Sequence, residues 1–176
     1  MRCFNGLLIR MAILFSFIVS LSTPAADVVP LRVTGNIVAT PCEISHDGIS
    51  KAVDLGRGKQ ILSSTLRAPG ATTEWVDFEI TVHDCPQGVT LSTLTLYGPA
   101  GSASPGDMYQ NMGSATDILV QLQSQTGEPL GNGKVMVGNI INNAYTYKLR
   151  ARVYTPTGDV SPGSISTIVT TTFVYQ

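Results

Sequence analysis

The chain has 176 residues, with 11 Lys and Arg against 12 Asp and Glu, and only 13% of its residues are charged. That is about half the usual share for soluble proteins, and the near balance gives no reason to expect a nucleic acid or an anionic membrane as partner. The length suits one ordinary domain, and neither an internal repeat nor a domain linker is visible.

Residues 1–25 read as a cleaved secretory signal peptide. Arg2 and Arg10 supply its positive region, and Met11 to Leu21 is an apolar run too short to span a bilayer comfortably. Thr23 and Ala25 place small residues at the −3 and −1 positions, so cleavage is expected before Ala26. Loss of the two arginines leaves a net charge near −3.

Cys3 departs with the signal. Cys42 and Cys85 remain, an even pair in an exported protein, and they read as one disulfide. Two free thiols or half a metal site are the alternatives. With His46 and His83 the only histidines and no CxxC motif, the metal reading is weak.

Val28 to Ala39 is the first strand-like segment. Val29, Leu31, Val33, Gly35, Ile37 and Ala39 fall on one face of it, and Pro30, Arg32, Thr34, Asn36 and Val38 on the other. Burying four such aliphatic side chains is worth on the order of 10 kcal/mol gross, before ordering costs. Gly35 allows close backbone approach, and Pro30 removes one rung from any ladder. On periodicity alone the segment is equally a first strand of the chain's own sandwich or a strand offered to another molecule. The short gap to Cys42 favours the second reading a little.

Beyond it the apolar period stays near two. Ala52 to Leu55 is a short strand candidate closing on Gly56. Trp75 to Val82 turns Val76, Phe78, Ile80 and Val82 inward. Leu91 to Tyr97 puts Leu94 and Leu96 on one face, and Asp117 to Gln123 puts Ile118, Val120 and Leu122 on one side. Ala144 to Tyr154 sets Tyr145, Tyr147, Leu149, Ala151 and Val153 against Thr146, Lys148, Arg150 and Arg152. The last strand, Gly163 to Tyr175, is β-branched and aromatic and ends beside the terminal carboxylate. Six or seven short strands separated by turn residues predict an all-β, immunoglobulin-like β-sandwich. Gly56–Lys59 and Gly131–Lys134 lack phosphate-loop spacing and read as turns.

The pattern Ala26-Asp-Val, Val33-Thr-Gly35, Pro41-Cys42, Val53-Asp-Leu-Gly56, Tyr109-Gln-Asn-Met-Gly113, Asp84-Cys85-Pro86 and Gly163 to Tyr175 resembles the chaperone–usher pilus subunits. Within that family it is most like the minor tip, or adaptor, subunits of type 1 fimbriae. The resemblance runs over essentially the whole mature chain, and a glycine fourteenth from the end with a penultimate aromatic is its specific mark.

The resemblance implies an incomplete immunoglobulin-like sandwich lacking its last strand, completed by a donor strand from a chaperone or another subunit. It divides the chain into a signal (1–25), an amino-terminal donor-strand extension (26–40) and a pilin domain (41–176). Val29, Leu31, Val33, Gly35 and Ile37 become donor residues for the preceding subunit. Gly163, Ile165, Thr167, Val169, Thr171, Phe173 and Tyr175 become the edge strand paired by the chaperone and then by the next subunit. Cys42–Cys85 becomes the family's disulfide. The implied partners are a periplasmic pilus chaperone, an outer-membrane usher, neighbouring pilus subunits and a tip adhesin, and the implied destination is a cell-surface fimbrium.

The leading functional expectation is therefore a structural adaptor subunit of an adhesive pilus tip. A major rod subunit and a carbohydrate-binding adhesin, with Trp75 and the tyrosines as a sugar platform, are the alternatives. An enzyme is disfavoured: His83 and Asp84 are strand neighbours expected on opposite faces, and nothing pairs with His46 at a recognisable spacing. No cofactor, metal or small-molecule substrate is expected.

Overall fold

A computed structural model describes Arg32 and residues 41–102 and 107–176. The expected signal peptide, and Val29, Leu31, Val33, Gly35 and Ile37 of the expected donor segment, lie outside the described residues. Among the described residues eight strands follow in chain order: β1 (Glu43–Ile44), β2 (Val76–His83), β3 (Leu91–Tyr97), β4 (Met108–Gln110), β5 (Leu119–Ser124), β6 (Val135–Asn139), β7 (Tyr145–Tyr154) and β8 (Thr170–Tyr175). One helical turn, α1 (His46–Ile49), and a 3₁₀ turn at Ser63–Leu66 are the helical elements among the described residues.

The strands form two antiparallel sheets. One runs β1-β2-β7-β5-β4 and the other β6-β3-β8. Alternation explains how they pack. In β7, Tyr147, Leu149, Ala151 and Val153 are buried while Lys148 is exposed and Arg150 and Arg152 are half-buried. In β2, Ile80 and Val82 are buried and Asp77 and Glu79 exposed. Leu94 and Leu96 of β3 meet these rows from the other sheet. An all-β sandwich of two antiparallel sheets is therefore the fold, as its alternating sequence predicted.

Two buried tyrosines fasten the interior. The Tyr147 hydroxyl donates toward Ser92, whose carbonyl and Oγ lie 2.7 and 2.8 Å away, which ties β7 to β3 across the sandwich. Tyr109 donates to the Leu130 carbonyl at 3.0 Å. Burial pushes both hydroxyls up to about 12, so both remain protonated donors.

Three local expectations change. Ala52–Leu55 is not a strand: Asp54 accepts hydrogen bonds from the Gly56 and Gly58 amides at 2.9 and 2.6 Å, so the chain turns. Val53 and Leu55 still pack on the core. β6 is an additional strand, its pattern broken by Gly138, where a Cβ would lie 2.2 Å from the Tyr145 ring. β4 is the third change, a three-residue strand paired with β5 through Tyr109 and Val120.

Candidate functional site

Cys42 and Cys85 are joined in a disulfide, which ties the chain entering β1 to the end of β2. Glu43 then pairs with His83 across the two strands. After β1 the chain runs through 45–75 without contributing a further named strand. That leaves one edge of the smaller sheet, at β8, beside no strand among the described residues.

A groove of about 1260 Å³ lies there. Two stretches of chain, 48–63 and 160–171, line it, and its interior comes from both sheets: Phe78, Ile80, Leu96, Val120, Leu122 and Leu149. Along the carboxy-terminal stretch, Ile165, Thr167, Val169, Thr171, Phe173 and Tyr175 are half-buried, while Ser164, Ser166, Ile168, Thr170, Thr172 and Val174 are exposed. The inward row is the set singled out in the sequence. Gly163 is exposed, and the ladder itself begins only at Thr170.

Main-chain bonding follows the same alternation. Gln176 and Leu91 exchange both their hydrogen bonds, at 2.9 and 2.8 Å, so they form a hydrogen-bonded pair of the β3–β8 ladder. Counting back by twos, Val174, Thr172 and Thr170 direct their main-chain groups toward β3. Further upstream, the Ser166 and Ser164 carbonyls accept from the Met112 and Ala115 amides at 2.7 and 3.1 Å. The main-chain groups of Ser164, Ser166, Thr170, Thr172 and Val174 are thus directed to the chain's own neighbours. Those of Ile165, Thr167, Val169, Thr171, Phe173 and Tyr175 face the open edge. An edge whose N–H and C=O groups have no partner among the described residues, beside a groove with an apolar interior, is a template for another strand.

A polar clamp holds the start of this segment. Asn111 Nδ2 donates to the Ala115 and Ser164 carbonyls at 2.8 and 3.3 Å, while its Oδ1 accepts from the Gly113 and Ser166 amides at 3.0 and 2.8 Å. Ser114 and Ser164 exchange amide-to-hydroxyl bonds of 3.0 and 2.9 Å. The backbones approach so closely that a Cβ on Gly113 would lie 2.1 Å from the Ser164 carbonyl oxygen, and one on Gly163 2.4 Å from the Ala115 nitrogen. Both positions require glycine for space rather than for turn geometry. Asn111 lies within the Tyr109–Gly113 stretch but is not among the site residues expected from the sequence; an Asn-x-Gly beside serines is its visible signal.

At the other end, Phe173 lies 6.0 Å from Tyr147 and 6.4 Å from Tyr175, ring centre to ring centre. These contacts seat the terminal aromatics on the core, and burial raises the Tyr175 hydroxyl above its ordinary value. In the middle, the Thr167 hydroxyl oxygen is buried and has no hydrogen-bond partner among the described residues.

Other chemistry-bearing residues are placed differently from expectation. His83 Nδ1 and the Asp84 carboxylate lie 2.7 Å apart, not on opposite faces, because Asp84 leaves the strand at φ 51° and swings back. With Glu43 they bring three possible ligand atoms within 4.8 Å of one another, on an exposed surface. Trp75 lies beneath two guanidinium groups, with Arg150 4.5 Å and Arg152 4.1 Å from its ring centre. The ring is engaged in packing of a cation–π kind.

The fimbrial protein family model matches residues 31–176. FimG of Escherichia coli strain K12 is 30% identical over 159 residues, covering 89% of this chain and 90% of FimG. Among solved structures, the P pilus rod subunit PapA superposes with a TM-score of 0.64 at 19% identity, over 78% of this chain and all of PapA. The P pilus adaptor subunit PapF gives a TM-score of 0.52 at 16% identity, over 80% of this chain and all of PapF. The two structural likenesses speak for the fold, and the family match and the FimG identity speak for kinship. The chain belongs to the fimbrial protein family and is a subunit of chaperone–usher pili.

Proposed function

We propose that this chain is a structural adaptor subunit of an adhesive pilus tip, and that its groove is completed by a strand from another molecule. A periplasmic chaperone supplies that strand first. At the outer-membrane usher, the amino-terminal extension of the next subunit replaces it. The chain's own residues 26–40, after removal of the signal 1–25, complete the preceding subunit in the same way, with Val29, Leu31, Val33, Gly35 and Ile37 as the inward row. This is β-strand addition: main-chain bonds supply affinity and alternate side chains supply specificity.

The observation that carries the proposal is the open edge from Ile165 to Tyr175. It combines outward-facing main-chain groups with inward-facing side chains over an apolar groove. A sandwich that buried this edge against its own chain would offer neither. The adaptor assignment, rather than a rod subunit, draws on the likeness to FimG. A sugar-binding role is less supported, since Trp75 is already covered by Arg150 and Arg152.

Deletion of residues 27–39 tests the reading. The shortened subunit should still be recovered as a soluble complex with its chaperone but should not enter the polymer. Normal incorporation would remove the donor-strand assignment. Replacing Tyr175 with a charged residue should weaken chaperone capture, and a wild-type yield would show that this edge is not the recognition strand.

A further inference from the structure

The outward face of the acceptor edge has one feature that main-chain pairing does not explain. Ser164, Ser166, Thr170 and Thr172 are small and polar there and Val174 near the end is 53% exposed, yet Ile168 stands among the polar residues with 77% of its surface exposed. An aliphatic side chain so exposed gains nothing from the chain's own core. Two other strongly exposed aliphatics, Ile49 at 70% and Leu62 at 61%, line the same groove from the 48–63 stretch.

The register gives Ile168 a partner. Residues of odd number direct their main-chain groups to the open edge, so an arriving antiparallel strand forms hydrogen-bonded pairs with Thr167 and Val169. Ile168 then falls at the non-hydrogen-bonded position between them, where facing Cα atoms approach to about 4.5 Å and side chains meet most closely. Ile168 lies at the rim of the groove, but its side chain is exposed and alternates with the half-buried Thr167 and Val169, so it meets a residue on the outward face of the incoming strand. The pocket-facing residues are read separately.

Resting on the strand-addition reading above, we propose that Ile168 is a specificity-determining residue that selects an aliphatic outward-facing residue on the strand that fills this groove. The occupant is the extension of a neighbouring subunit. By alternation, the chain's own segment turns Pro30, Arg32, Thr34, Asn36 and Val38 outward, four of which are polar, charged or proline. In most registers that segment sets a poor partner against Ile168. The groove is thereby biased against a second copy of this chain and toward a different subunit, as suits a component that does not form long homopolymers.

Cross-strand pairs of this kind change affinity by on the order of two- to fivefold. The test uses the full chain purified from the periplasm and synthetic peptides of residues 26–40. One peptide is parental, and three carry Arg32→Val, Thr34→Val or Asn36→Val. Binding is measured to the wild-type chain, to Ile168→Thr and to Ile168→Val. One of the three peptides should bind wild type about two- to fivefold more tightly than the parent. That gain should shrink with Ile168→Val and vanish with Ile168→Thr. The Ile168→Val protein keeps a β-branched aliphatic at the site, so the comparison stands even where the threonine variant folds poorly. Equal gains in all three proteins reflect strand propensity alone and overturn the proposal, as does the absence of any gain. If the extension peptide of a neighbouring subunit, run alongside as a control, also fails to bind, the strand-addition reading itself falls.

Discussion

Replacing Asn111 with alanine removes the centre of the clamp that holds one end of the groove wall. Four hydrogen bonds disappear, two within the 111–115 turn and two to Ser164 and Ser166. Each is worth about 1 kcal/mol net, and the side chain is only partly buried, so water recovers part of the loss. The expected cost is about 2 kcal/mol, a factor of roughly 30 in the folding equilibrium. The Met112 to Ser166 and Ala115 to Ser164 backbone bonds survive, so the fold should persist. Urea denaturation gives the magnitude, and native-state hydrogen exchange gives the place. The Gly113 and Ser166 amides should lose protection while those of β7 keep theirs. A stability loss below about 0.5 kcal/mol, within the range of an ordinary surface substitution, would refute the clamp. So would a larger loss spread evenly over the molecule.

Other substitutions test the interior. Replacing both Cys42 and Cys85 by serine opens a loop with a sequence separation of 43 and should cost about 4 kcal/mol in chain-entropy terms, read from the denaturation midpoint under matched conditions. Tyr147→Phe removes the link to Ser92 while keeping the ring, and should lower stability by about 1–3 kcal/mol with unchanged secondary structure by circular dichroism. Asp117 predicts a pH dependence. Burial alone would raise its carboxyl, but hydrogen bonds from Thr157 and Thr155 outweigh it and hold the group below its ordinary value of 3.8. Its contribution is complete above that value and is lost as pH falls through the lower folded one. The stability of Asp117→Asn should therefore fall less steeply in that acid range than that of wild type.

Where one periodicity ruled, the sequence was readable to the residue. Tyr147, Leu149, Ala151 and Val153 are buried as their alternation demands, and so are Ile80 and Val82. The inward row from Ile165 to Tyr175 was visible for the same reason. Side-chain capping and close backbone contacts obscured the rest. Asp54 hydrogen-bonds two following amides and turns a strand-like Ala-Val-Asp-Leu into a loop. Gly138 hides β6 because its lost side chain makes room for Tyr145, a neighbour in space but not in sequence. Asp84 escapes the strand rule through one positive φ, which single-residue alternation does not register. The Asn111 clamp joins residues more than fifty positions apart. No local pattern encodes that distance, although the sequence supplied both halves of it.

Amide exchange along the carboxy-terminal strand tests the central claim most directly. In the subunit without a bound strand, the amides of Ser164, Ser166, Thr170, Thr172 and Val174 should be protected, being bonded to Ser114, Asn111 and β3. The odd amides of Ile165, Thr167, Val169, Thr171 and Phe173 should exchange freely. On binding its chaperone or the extension of a neighbouring subunit, the odd set should become protected while the even set changes little. Protection of both sets before binding, or an odd set that still exchanges freely in the complex, would contradict the account that this edge is finished by another molecule's strand.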